Sequence, residues 1–196
     1  MRELTRSAHD GQTRNAGRVP YWVHTDAVAD ICRAALASCG ERGILGADAA
    51  NDLVLAAYGH DLYEDTSVSP EAVRAEFGAR VDGWIRDLTN ETGDHDRAAY
   101  LAHIQVMPDE ARVIKCADLI DNTLSVAYGV HDLGLGWVRE FFLPIGTDTR
   151  DVLHSAAFER LPATGSYLLS LVDWAWTRLA GSIDTATGQP WAEGRR

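Results

Sequence analysis

The chain has 196 residues, 46% of them hydrophobic and 24% charged, enough to bury one sizeable core, so one domain is expected. Eighteen Lys and Arg against 29 Asp and Glu give a net charge of −11, which repels a nucleic-acid backbone and an anionic membrane surface. A small polyanionic ligand is admissible only beside a metal or a local basic cluster.

The N-terminus mixes Arg2, Glu3, Arg6, His9 and Asp10 with no apolar leader core, and no apolar run reaches membrane-spanning length. A soluble, cytoplasmic protein is expected, without nucleic-acid or membrane partners. Cys32, Cys39 and Cys116 are odd in number and form no CxxC or zinc-knuckle spacing, so they read as reduced thiols.

Helical periodicity dominates from there and predicts an all-α fold. Gly11 to Pro20 reads as irregular. Val28, Ile31 and Ala35 then share a helix face that His24 extends one turn back. Asp48 is an N-cap candidate for a helix carrying Leu53, Ala56, Ala57 and His60 on one face and ending near Asp65. Ser69-Pro70-Glu71 starts a short helix that Phe77-Gly78 closes. Another short helix covers Val81 to Leu88, Asn90 to Asp96 is a loop, and Arg97 to Val106 is helical again.

Pro108 opens the next helix, in which Val113, Ala117, Ile120 and Leu124 form an apolar stripe and Lys115, Asp118 and Asn122 a polar one. Helical patches follow at Trp137–Phe142, Val152–Leu161 and Tyr167–Leu179, whose aromatic residues offer an interface for a homo-oligomer. The expected division is one domain over residues 1–181 and a polar tail over 182–196.

The chemistry concentrates at His60, Asp61, Glu64 and Asp65, four metal-capable or proton-handling side chains within six positions. Imidazole nitrogen with carboxylate oxygen suits Mn²⁺, Fe²⁺ or Zn²⁺, and the absence of thiolates argues against a structural zinc. His24 and Asp118 are the distant side chains that could complete the shell, because a lone inward carboxylate costs several kcal/mol without a cation or strong donors. Taken singly, His24 fits an ordinary buried histidine and Asp118 a partner of Lys115. A second His-Asp pair, His131-Asp132, follows no apolar helix and precedes no carboxylate pair, so the dipeptide alone carries little.

The order His24, His60-Asp61, Asp118 resembles the H…HD…D pattern of HD-domain metal-dependent phosphohydrolases. Three blocks resemble one branch of them, the hydrolase domain of RelA/SpoT proteins and the small alarmone hydrolases. They are His9-x-Gly11-Gln12-x-Arg14 with Pro20-Tyr21-Trp22-Val23-His24, then His60-Asp61-Leu62-Tyr63-Glu64-Asp65-Thr66 with Phe77-Gly78, then Arg112-Val113-Ile114-Lys115-Cys116-Ala117-Asp118 with Asn122. The likeness covers about residues 5 to 125.

That resemblance implies an HD-fold enzyme that removes the 3′-pyrophosphate of (p)ppGpp, a small-molecule nucleotide, with one Mn²⁺. By position, His24, His60, Asp61 and Asp118 match the metal ligands, and Glu64 and Asp65 the acidic pair acting on water. Arg14 and Asn122 match nucleoside contacts, and Arg97 is the preferred phosphate contact. Asn15 and Leu119 replace basic residues usual in the family, which leaves an adenosine alarmone open. A nucleotidase and a non-catalytic nucleotide sensor are the competing readings. At this length there is no room for the synthetase and regulatory modules of full-length RelA/SpoT proteins.

Overall fold

The computed structural model describes residues 1–14, 17–90 and 96–188, which are mostly helical, with one short two-stranded ribbon. In chain order they form α1 (Arg2–Ala8), β1 (Thr13–Arg14), β2 (Val19–Pro20), α2 (Trp22–Ser38), α3 (Arg42–Leu45) and α4 (Ala47–Tyr58). Then come α5 (Leu62–Asp65), α6 (Pro70–Phe77), α7 (Ala79–Leu88), α8 (Arg97–Val106) and α9 (Asp109–Leu133). After α10 (Leu135–Trp137) a π-helical turn, Val138–Phe142, leads into α11 (Leu143–Ser155), and α12 (Pro162–Thr187) ends the described chain. The all-α expectation holds, and no helix among the described residues is long and apolar enough to cross a membrane.

Local signals placed several boundaries. Ser69 caps α6 by accepting Ala72 N–H at 3.3 Å, with Pro70 in its first turn, and Gly78, at φ 90°, separates α6 from α7. Asp96 caps α8 through Ala99 N–H at 3.0 Å. Other expectations need correction. The stretch from Gly11 to Pro20 is not wholly irregular: Thr13 and Arg14 pair antiparallel with Pro20 and Val19. Asp48 is not a cap, because α4 starts one residue earlier behind Gly46 at φ 80°, and Asp48 lies in its first turn. Nor does α4 reach Asp65; it stops at Tyr58, and a turn follows before α5.

The helix predicted over Tyr167–Leu179 extends in both directions, so the polar tail does not start at residue 182. Ile183, 1% exposed, holds that last stretch in the core; residues 189–196, Asn15 and most of the Asn90–Asp96 loop lie outside the described residues.

α9 is the hub: it packs against α12, α2, α7, α11 and α4, while α2 and α7 also pack on α4. Two buried acids bind the start of α12 to distant chain. Glu41 accepts the amides of Ala163 and Thr164 at 2.9 and 2.8 Å, and Asp109 Oδ2 accepts those of Arg160 and Leu161 at 2.7 and 2.9 Å. Burying a carboxylate is costly unless donors meet it, and here backbone N–H groups that would otherwise be orphaned do so.

Close packing at this junction has a measurable consequence. A Cβ on Gly165 would lie 2.2 Å from Phe158 Cγ and 2.6 Å from its Cδ1. Overpacking of about 1–3 kcal/mol outweighs the roughly 1 kcal/mol that alanine gains over glycine inside a helix. Gly165→Ala is therefore expected to lower the melting temperature by several degrees, read by circular dichroism; an unchanged or higher value would show that the Phe158 ring relaxes freely.

Candidate metal centre

Three separated elements bring the candidate residues together. His24 lies in the first turn of α2, Asp118 is on α9, and His60 and Asp61 occupy the turn between α4 and α5. Gly59 makes that turn possible: its N–H closes α4 on Leu55 and Ala56, and a Cβ there would come within 2.9 Å of Ile85 Cδ1 and 3.1 Å of Leu62 Cδ1. His60 thus leaves the helix face on which the sequence pattern put it, while remaining buried.

Among the described residues, His24, His60 and Asp61 form a group whose ligand atoms all lie within 4.8 Å of one another. The two Nε2 atoms are 3.2 Å apart. Asp61 Oδ2 is 3.0 Å from His60 Nε2 and 3.5 Å from His24 Nε2, and Asp118 Oδ1 is 3.3 Å from His24 Nε2 and 3.7 Å from His60 Nε2.

The other ring nitrogens decide what these atoms offer. His24 Nδ1 lies 2.7 Å from Asp121 Oδ2 and His60 Nδ1 2.9 Å from the Ala57 carbonyl, and both of those oxygens only accept. Each Nδ1 is therefore a donor, so that once Nε2 gives up its proton it presents a lone pair to the common point. Two imidazole nitrogens and two carboxylates directed at one place are the donor set of a divalent cation.

Electrostatics agree with that demand. Burial alone would lower the His24 and His60 pKa values, but Asp118, Asp121 and Asp61 outweigh it at His24. At His60, Asp61 and Asp118 raise the value to about 9. Asp61 and Asp118 sit well below the ordinary carboxylate range despite burial, through the imidazoles and, for Asp118, Lys115 first of all. The positive charge that the carboxylates attract is one a metal can replace.

The surrounding residues hold this arrangement. The Tyr21 hydroxyl donates to Asp61 Oδ2 at 2.7 Å, and the His9 ring stacks on Tyr21 with centroids 4.7 Å apart. Gln12 bonds His9 Nδ1 at 2.7 Å through its oxygen and donates to the Asp65 carbonyl at 2.8 Å through its nitrogen. Lys115 Nζ donates to Asp118 Oδ2 at 3.0 Å and lies 5.5 Å above the Tyr100 ring, as expected for a lysine paired with a nearby carboxylate.

The remaining sequence candidates divide. Arg14 and Asn122 join the cluster: Arg14 donates to Asn122 Oδ1 at 2.9 Å, and Asn122 Nδ2 donates to Asp118 Oδ1 at 2.6 Å. Glu64 and Asp65 lie on α5, just after Asp61, with solvent reaching part of each. Desolvation by the protein around them raises both carboxyls, with repulsion from Asp61 adding to it; at Glu64 the Asn90 amide, 2.6 Å away, and Lys115 pull the other way. Arg97 is not brought in. It pairs with Asp148 at 2.7 Å and with the Pro144 carbonyl. Arg112 is buried on Asp109 and has no contact with the cluster.

Sequence reasoning left Asp121 and Tyr21 without roles. Asp121 could have been found, because it stands three residues after Asp118 and so shares its helix face. Tyr21 stands three residues before His24.

No family model matches the chain. Over 78 residues it is 37% identical to guanosine-3′,5′-bis(diphosphate) 3′-pyrophosphohydrolase of Haemophilus influenzae, a match covering 40% of this chain and 10% of that protein. The chain spans only about a tenth of the length of that curated relative. Among solved structures, it superposes on a metazoan ortholog of SpoT with a TM-score of 0.66 and 22% identity, over 90% of this chain and 92% of the other. The chain has the fold of that SpoT ortholog. The ortholog is described as hydrolysing ppGpp and acting in starvation responses. Its likeness extends well past residue 125, so the C-terminal helices belong to the shared fold even where the sequence blocks stop.

Proposed function

We propose that the chain is a metal-dependent alarmone hydrolase that releases pyrophosphate from the 3′ position of (p)ppGpp and leaves GDP or GTP. The observation that carries this reading is the pair of Nε2 atoms 3.2 Å apart, each with its Nδ1 committed elsewhere, facing Asp61 and Asp118. The sequence match to a ppGpp pyrophosphohydrolase supports the choice of substrate.

In this proposal His24, His60, Asp61 and Asp118 hold one divalent cation, with Mn²⁺ as the expected ion. Such a cation acidifies water and offsets phosphoryl charge. Glu64 and Asp65 orient the attacking water and take its proton; their raised pKa values suit a group that must both accept and release one. Arg14 and Asn122 face the nucleoside, Arg14 through its planar, permanently charged guanidinium. Arg97 reaches a phosphate only by leaving Asp148, a half-exposed pair worth under about 1 kcal/mol.

Supplying the Mn²⁺-loaded protein with ppGpp, pppApp and a panel of mono- and triphosphates tests the reading. Pyrophosphate is expected from 3′-pyrophosphorylated nucleotides alone. Phosphate released from a monophosphate would make it a nucleotidase, and nucleotide binding without turnover would make it a sensor.

Protons and metal compete for the same imidazoles, which fixes a pH dependence. The His60 value near 9 and the raised His24 value mean that cation binding displaces protons throughout the neutral range. Affinity for Mn²⁺ is expected to rise with pH through the neutral range, by at most roughly tenfold per unit for each proton displaced. Calorimetric titration in buffers of different ionisation enthalpy counts those protons. A pH-independent affinity with no proton release would mean that the imidazoles are not the ligands.

A further inference from the structure

Asp121 has no part in the roles proposed above, yet one of its oxygens is shared by both ends of the site. Oδ2 accepts the His24 Nδ1–H at 2.7 Å and also an Arg14 Nη1–H. The second Arg14 nitrogen donates to Asn122, which in turn donates to Asp118. Arg14 therefore reaches two candidate metal ligands by parallel routes, through Asp121 to His24 and through Asn122 to Asp118. The Arg14 and Asp121 side chains are only 14% and 22% exposed, so this is not a loose surface pair.

The hydrogen bonds assign a direction to each contact. A carboxylate facing Nδ1 fixes the ring tautomer and turns Nε2 towards the cation, an arrangement whose loss typically weakens metal binding by about 10–100-fold. The same carboxylate holds the guanidinium in one orientation, so a change at either end is felt at the other. Such coupling is reciprocal for binding: whatever tightens one site through Asp121 tightens the other equally.

We infer that Asp121 is a positioning residue, a joint that orients His24 and Arg14 together and so links nucleoside recognition to the metal centre. The inference rests on the metal-site reading above. It concerns a position between Asp118 and Asn122 to which the family resemblance gives no role.

The test is calorimetric titration of Mn²⁺ alone into the full chain and into Asp121→Ala, Asp121→Asn, Arg14→Ala and the Arg14→Ala/Asp121→Ala double variant. Asp121→Ala is expected to weaken binding by about 10–100-fold. Asp121→Asn, whose amide oxygen can still accept from Nδ1–H, should recover most of that affinity. The asparagine variant should also raise KM for ppGpp with kcat little changed, because an amide does not hold a guanidinium as a carboxylate does. Arg14→Ala should weaken Mn²⁺ binding by less, and the double variant by less than the product of the two single losses. Asp121→Ala within about twofold of the unaltered chain, or losses that multiply in the double variant, would overturn the inference.

If the unaltered chain takes up no Mn²⁺, the metal reading fails separately, and imidazole ¹⁵N shifts of the metal-free protein decide. A His24 Nδ1 signal that moves in Asp121→Ala and returns in Asp121→Asn upholds the joint; one that stays fixed in both removes it.

Discussion

Asp61→Ala is expected to abolish metal-dependent turnover, with a loss of at least about 10³-fold, the equivalent of several kcal/mol of charge stabilisation. Asp61 Oδ2 is 3.0 Å from His60 Nε2 and 3.5 Å from His24 Nε2, and also receives the Tyr21 hydroxyl, so one truncation removes a charge and a fixed oxygen from the shared point. Elemental analysis of the purified variant should show little bound metal, while its circular dichroism remains helical. A variant that turns over like the unaltered chain would remove Asp61 from the proposed ligand set.

Glu64→Gln should separate chemistry from metal binding. The glutamine keeps an oxygen for the Asn90 amide, now 2.6 Å from Oε1, but it cannot accept a proton from water. Loss of a general base typically costs about 10²–10⁴-fold, so kcat should fall within that range while Mn²⁺ affinity stays within a few-fold. If the metal is lost instead, Glu64 is itself a ligand, and the division of labour between Asp61 and the acidic pair must be redrawn.

What the sequence made legible was local. His60-Asp61-x-x-Glu64-Asp65 puts its functional groups within six positions, and Asp118 and Asn122 are one helical turn apart, so periodicity alone put them on a face. What it concealed depended on tertiary contact. A Cβ at Gly59 would meet Ile85, a residue that only the fold brings to it. Asp121 has no role in the sequence pattern, because only the fold brings His24 and Arg14 to it. Arg97 looked available because nothing in its neighbourhood announced Asp148, fifty-one positions on. The π-helical turn at Val138–Phe142 has no periodic signature of its own, since its residues fit an ordinary helix equally well.

The two acids that receive the start of α12 separate inheritance of motifs from cooperative folding. Every residue proposed for the site lies before position 125, and a chain shortened to that region would retain all of them. It would nonetheless lose the apolar face of α12, including Leu168, Val172, Trp176, Leu179 and Ile183, which are buried in the core that α9 shares. It would also strand Glu41 and weaken the satisfaction of Asp109, each unmet buried acceptor costing about 1–3 kcal/mol. The smallest unit expected to melt as one therefore extends to about Thr187, with the proposed site an inseparable part of it rather than a transferable module.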